Sequence, residues 1–90
     1  MTTLHFLIEG KVQGVFFRVS AKRKADDLGI TGWIKNTPNG HVEALATGEE
    51  VALKAFEQWC RRGPEKAQVT QVTVTPRENN SSFTSFSIIR

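Results

Sequence analysis

Gly10-Lys11-Val12-Gln13-Gly14-Val15-Phe16-Phe17-Arg18 is the segment on which the fold turns, because the periodicity of the chain changes across it. Before it, Leu4, Phe6 and Ile8 alternate with His5, Leu7 and Glu9. That period of two predicts a strand ending at Gly10. After it, Phe17, Ala21, Ala25 and Leu28 recur at helical spacing, and Gly29 supplies a helix stop that accepts the left-handed conformation. The segment is therefore a strand-to-helix loop. It carries two glycines and, at the start of the helix, a fixed positive charge.

The remaining elements follow from the same two periods. Ile30 to Asn36 and His41 to Thr47 are predicted strands, joined by the tight turn Thr37-Pro38-Asn39-Gly40. Thr47-Gly48-Glu49-Glu50 matches a capping box, with Thr47 expected to accept from the Glu50 amide. Leu53, Phe56 and Cys60 then share one helix face, with Trp59 beside them, until Gly63-Pro64. Ala67 and Val69 alternate, but the pattern slips by one to Val72 and Val74. An extra residue near Thr70 or Gln71 explains the slip as a bulge. Glu78 to Ser82 reads as a polar loop, and Phe83 to Ile89, with Phe86 and Ile88 on one face, as a closing strand. The order βαββαβ predicts an α+β ferredoxin-like sandwich. Its mostly antiparallel sheet of four to five strands is expected to carry two helices on one face and water on the other.

Composition narrows the function classes. The chain of 90 residues reads as one domain, 1–90, with 39% hydrophobic and 23% charged residues, as in a water-soluble protein. No apolar run reaches membrane-spanning length, and no charged-then-apolar leader opens the sequence. The single cysteine, Cys60, excludes an internal disulfide and a sulfur-rich metal site. Together these point to the cytoplasm. The net charge of +3, with a pI near 9.4, suits an anionic partner and equally suits ordinary solubility. The basic run Lys22-Arg23-Lys24 is followed at once by Asp26 and Asp27, and reads as a solvated helix face.

The loop chemistry points toward an anion. Amides at a helix N-terminus lack internal partners and carry partial positive charge. Gly10 and Gly14 let the backbone curl so that successive N–H groups converge, a nest suited to phosphate. Arg18, in the first helical turn, has the planar fork that holds two phosphate oxygens. Val15-Phe16 follows Gly14 where a nucleotide loop needs Lys-Ser/Thr, and the glycine spacing is not that of a dinucleotide fingerprint. Spacing alone leaves two readings open: an anion nest, or a tight connection bearing a surface arginine.

A second segment, Gly32 to Gly48 (GWIKNTPNGHVEALATG), bears on that choice. With the loop, it resembles the acylphosphatase family. The first family signature, G-x-V-Q-G-V-x-F-R, is matched by Gly10, Val12, Gln13, Gly14, Val15, Phe17 and Arg18. The second is matched by Gly32, Trp33, Lys35, Asn36, Gly40, Val42 and Gly48. The spacing of the two blocks also fits, and the resemblance extends from Leu4 to Arg90. It implies hydrolysis of an acyl phosphate to a carboxylate and inorganic phosphate. It also implies that Arg18 binds the phosphoryl group and Asn36 positions the attacking water. Backbone amides of Val12, Gln13, Gly14, Val15, Phe16 and Phe17 would complete the cradle. No cofactor and no metal are implied. The expected partners are a small acyl phosphate and inorganic phosphate, the product and a competitive inhibitor, acting on a monomer.

Residue chemistry accounts for so sparse a site. A carboxylate leaves without a general acid, so positioning and charge stabilisation remain the main tasks. Asn36 can orient water but cannot take its proton, which assigns the base role to the substrate phosphate itself. His5 is expected on the open sheet face, His41 follows the turn, and neither has metal-ligand spacing. Cys60 reads as a small buried hydrophobe. Glu9, Glu43, Asp26 and Asp27 form no evident magnesium cluster. The competing class is a ferredoxin-like nucleic-acid or anion-binding module without catalysis. For nucleic acid it needs aromatic residues on the open face of the first and third strands. HVEALAT has none, and Phe6 is in phase with the core, so no nucleic-acid or membrane partner is expected. Reuse of the fold within a larger assembly, on a carbamoyl-phosphate-like ligand, is the third reading.

Overall fold

The alternation at Leu4, Phe6 and Ile8 builds β1 (Thr2–Lys11), with Phe6 and Ile8 fully buried. The structure is a computed structural model that describes residues 1–78 and 83–89. After β1 come α1 (Phe17–Asp27), β2 (Thr31–Asn36), β3 (Val42–Gly48), α2 (Glu50–Arg62), β4 (Gln68–Arg77) and β5 (Phe86–Ile88). The sheet order is β4-β1-β3-β2-β5. The first four strands pair antiparallel, and β5 adds to the β2 edge in parallel. This is the ferredoxin-like α+β architecture with one short strand appended.

Each helix is amphipathic for one sheet face. α1 buries Phe17, Ala21 and Ala25, and packs on β2 and β5; α2 buries Leu53, Phe56 and Cys60, and packs on β1, β3 and β4. Phe56 joins the layers. Its ring meets Phe6 edge-on at 5.4 Å and Phe86 at 5.9 Å. Burying each such ring contributes about 1.5–3 kcal/mol, and the edge geometry adds to that. Phe17 at the start of α1 packs on Trp59 of α2 at 5.3 Å, so the loop-to-helix junction is anchored in the core.

The other sheet face carries half-buried polar groups. His5 Nε2 donates to Glu43 Oε2 at 2.8 Å, and Lys35 Nζ lies 3.4 Å from Glu43 Oε1. Lys35 also sits over the Trp33 ring at 5.4 Å. His5 therefore faces the open side, as its phase predicts.

Several boundaries differ from the sequence reading. β1 runs through Gly10 to Lys11, because the bulge on β4 lets pairing continue. Glu9 pairs with Gln71 and Gly10 with Val69, leaving Thr70 as the extra residue the pattern slip predicts. Gly10 takes φ 127°, and a Cβ there would strike the Gln68 carbonyl oxygen. Ile30 lies before β2. Its N–H closes α1 on Ala25 O, with Gly29 bonded to Asp26 O, the paired bonds of a glycine-terminated helix end. β3 is shifted by one residue from His41–Thr47 to Val42–Gly48. The predicted closing strand shortens to Phe86–Ile88; of the predicted polar loop, residues 79–82 lie outside the described residues.

The capping box does not form. Thr47 belongs to β3, and its Oγ1 shares a buried 2.7 Å hydrogen bond with Thr3 Oγ1. The cap of α2 is Glu49, two residues past the predicted one, in extended conformation and without a side-chain cap hydrogen bond. A cross-strand partner outcompetes the local one because Thr47 remains within the ladder opposite Thr3.

Candidate active site

β1 hands the chain to the loop, and the loop is pinned from beneath. Val12 and Phe17 are 1% exposed and Val15 is 8% exposed. With those side chains turned into the core, the loop presents mainly backbone, Gly14 and the Phe16 ring outward. Gly14 has φ 74° with open space where a Cβ would stand, so its conformation rather than room calls for glycine. Phe16 is also left-handed, at φ 63° and ψ 25°, and caps α1. The first helical hydrogen bond runs from Ser20 N to Phe16 O. The amides of Phe17, Arg18 and Val19 thus have no partner within the helix, which is the anion-binding property of a helix start.

Two adjoining cavities open here. One, of about 320 Å³, is lined by Val12, Gly14, Phe16, Phe17, Arg18 and Val19. The other, of about 490 Å³, is lined by Arg18, Val19, Asn36 and Ile88. Arg18 and Val19 line both, so the cavity at the loop and the cavity at the end of β2 adjoin at these residues and together form a groove. Among the described residues, Arg18 is the only charged residue that lines it, and no carboxylate pairs with Arg18.

Asn36 is the last residue of β2. Its Oδ1 is buried without a hydrogen-bond partner among the described residues. A buried carbonyl oxygen in that state is costly in a folded chain. The predicted pair, Arg18 and Asn36, is thus brought together across 18 residues of sequence. Val12, Gly14, Phe16 and Phe17 line the groove; Gln13 and Val15 do not.

The side chain of Gln13 has a role that the sequence did not reveal. Its Nε2 donates to Thr37 O and to His41 O, each at 2.8 Å. The two acceptors flank the turn that follows Asn36. Backbone carbonyls occur at every residue, so no sequence signal marked them as its partners.

Other titratable groups lie outside the groove. His41 Nε2 is 3.9 Å from Glu9 Oε2, and neither histidine lines either cavity. Cys60 is fully buried, and burial pushes its thiol above the ordinary range. Phe6, which a nucleic-acid platform would need on the open face, lies against Phe56 in the core.

Comparison with known proteins identifies the family. The sequence profile described as Acylphosphatase matches residues 4–88. The chain is 46% identical over 90 residues to an acylphosphatase of Methylococcus capsulatus, covering all of this chain and 98% of that protein. It is 48% identical over 82 residues to one of Marinobacter nauticus, covering 91% and 89%. The crystal structure of acylphosphatase from Bacillus subtilis superposes with a TM-score of 0.96 at 36% identity, over the whole of both chains. With the profile matched over residues 4–88 and relatives at 46% and 48% identity spanning nearly all of both chains, the chain belongs to the acylphosphatase family.

Proposed function

We propose that the chain hydrolyses acyl phosphates to a carboxylate and inorganic phosphate. The observation that carries this is the shared groove: a helix start, the Arg18 guanidinium and the Asn36 carboxamide, with no carboxylate on the guanidinium and no partner for the carboxamide oxygen among the described residues. The loop amides from Val12 to Phe17 and the Arg18 fork hold the phosphoryl oxygens. These donors are fixed before the reaction, so charge that shifts in the transition state meets dipoles already aimed at it. The Asn36 carboxamide holds the water by hydrogen bonding and aims the water's oxygen lone pair at phosphorus. Its amide cannot accept the released proton, which passes to a phosphate oxygen of the substrate. The carboxylate departs without protonation, so no general acid is required.

The loop, Arg18 and Asn36 lie on one chain, so a monomer suffices as the working unit of this proposal. Inorganic phosphate, as product, occupies the same cradle and inhibits competitively.

The test is hydrolysis of acetyl phosphate in excess chelator. Turnover is expected there, and Arg18→Lys should lower it ~10²-fold or more, since a point charge replaces the two-pronged fork. Asn36→Ala should lower kcat while phosphate still inhibits. A folded chain that binds phosphate but turns over no acyl phosphate would be a non-catalytic anion-binding module instead.

A further inference from the structure

The phosphate loop and Asn36 reach the groove from strands that are not neighbours. β1 leads into the loop and β2 ends at Asn36, but β3 lies between them in the sheet. No ladder bond joins β1 to β2, so sheet pairing fixes the loop-to-Asn36 separation only through an intervening strand. In-line attack is sensitive to that separation: a misplacement of about 1 Å can cost ~10²-fold in rate.

One side chain spans the gap. Gln13 Nε2 donates to Thr37 O and to His41 O, each at 2.8 Å, using both hydrogens of its amide. Gln13 stands in the loop immediately before Gly14, and Thr37 is the residue bonded to Asn36. Among the described residues, no other side-chain hydrogen bond joins the loop to this turn. The turn does not need Gln13 in order to close. Thr37 N donates to His41 O at 2.8 Å, Gly40 N to Thr37 O at 3.2 Å, and His41 N to Thr37 Oγ1 at 3.0 Å. The two carbonyls therefore keep backbone donors of their own, and the Gln13 amide is an added link between two segments that are each already formed.

We propose that Gln13 is a positioning residue that sets the distance between the phosphate cradle and the Asn36 carboxamide. This rests on the water-aiming role given to Asn36 under Proposed function. Gln13 acts through that residue. Without the link, the loop still binds the anion and the turn still closes, but the nucleophile and phosphorus lose their fixed alignment. The consequence falls on kcat rather than on the affinity for phosphate.

The test is a double-mutant cycle on the full chain with acetyl phosphate. Gln13→Met keeps length and removes both donors. It is expected to lower kcat ~10- to 100-fold, with the inhibition constant of inorganic phosphate changed less than about threefold. In an Asn36→Ala background the same change is expected to cost less than about twofold, since the residue through which it acts is gone. Full additivity, or a loss of phosphate affinity as large as the loss of kcat, overturns the proposal and makes Gln13 a general fold staple. If Asn36→Ala leaves kcat intact, the water-aiming reading itself fails and this one with it.

Gln13→Glu gives an independent readout. It sets an acceptor-only group against two carbonyl oxygens, and protonation restores one donor. Its kcat, as a ratio to that of the unaltered chain, is expected to rise as pH falls. A flat ratio overturns the proposal.

Discussion

Phe16 stands in the left-handed region and is 78% exposed. That conformation brings the Cβ of an L-residue too near the following carbonyl oxygen, at a cost of roughly 1–2 kcal/mol, and asparagine tolerates it better. Phe16→Asn is therefore expected to raise the unfolding free energy by about 1 kcal/mol, seen as a higher urea midpoint at unchanged slope. A lowered midpoint would mean that the ring's contacts in the groove outweigh its backbone strain. At this scale the sequence was legible in which residues meet: Arg18 and Asn36, singled out by their type, line one cavity, and glycine marks the curled loop. Phe16 was not legible as a left-handed residue, because its type argues against that conformation. The reach of Gln13 was hidden for another reason: its acceptors lie 24 and 28 residues away.

Elements were legible where periodicity is long and one face is buried. Phe17, Ala21 and Ala25 mark α1, and Leu53, Phe56 and Cys60 mark α2. Even the bulge at Thr70 was written in the slip from Val69 to Val72, because a shift of one residue changes which face is apolar. What failed was the purely local reading of Thr47, whose hydroxyl answers to Thr3, 44 residues away. The parallel pairing of β5 with β2 also left no mark in a segment of three residues. On the open face, the hydrogen bond from His5 is the main reason the Glu43 carboxyl sits below its usual range; burial opposes it and Lys35 adds to it. With the folded value below the unfolded one, this group's contribution to stability is complete above about pH 4.3, the ordinary glutamate value. It is lost as pH falls through that value and then through the lower folded one. Glu43→Gln is expected to cost ~0.5–1 kcal/mol at pH 7, the scale of a partly exposed pair. In denaturant titrations the difference should shrink steadily below pH 4. A gap that persists at pH 2 would assign the effect to packing.

For the molecule as a whole, the helices and the sheet close over one aromatic centre, where Phe56 contacts Phe6, Phe86 and Trp59. The architecture was legible because two βαβ halves with buried faces admit few arrangements. The groove was not legible as a shape, since it arises where the start of α1, the end of β2 and Ile88 happen to meet. Cys60, on the inner face of α2, belongs to that same centre, and it is the only thiol in the chain. Reagents attack the thiolate, and burial, with Glu57 nearby, disfavours that form while the fold blocks access. Alkylation must then wait for the centre to open. Under native conditions its rate is expected to be at least ~10³-fold slower than for a free thiol, and to track the opening equilibrium when reclosing outpaces labelling. Rapid uptake of a single adduct, followed by mass spectrometry, would instead reveal that α2 lifts on its own. The chain therefore carries an internal gauge: one mass increment, dormant while the protein is intact, that counts every molecule that has come apart.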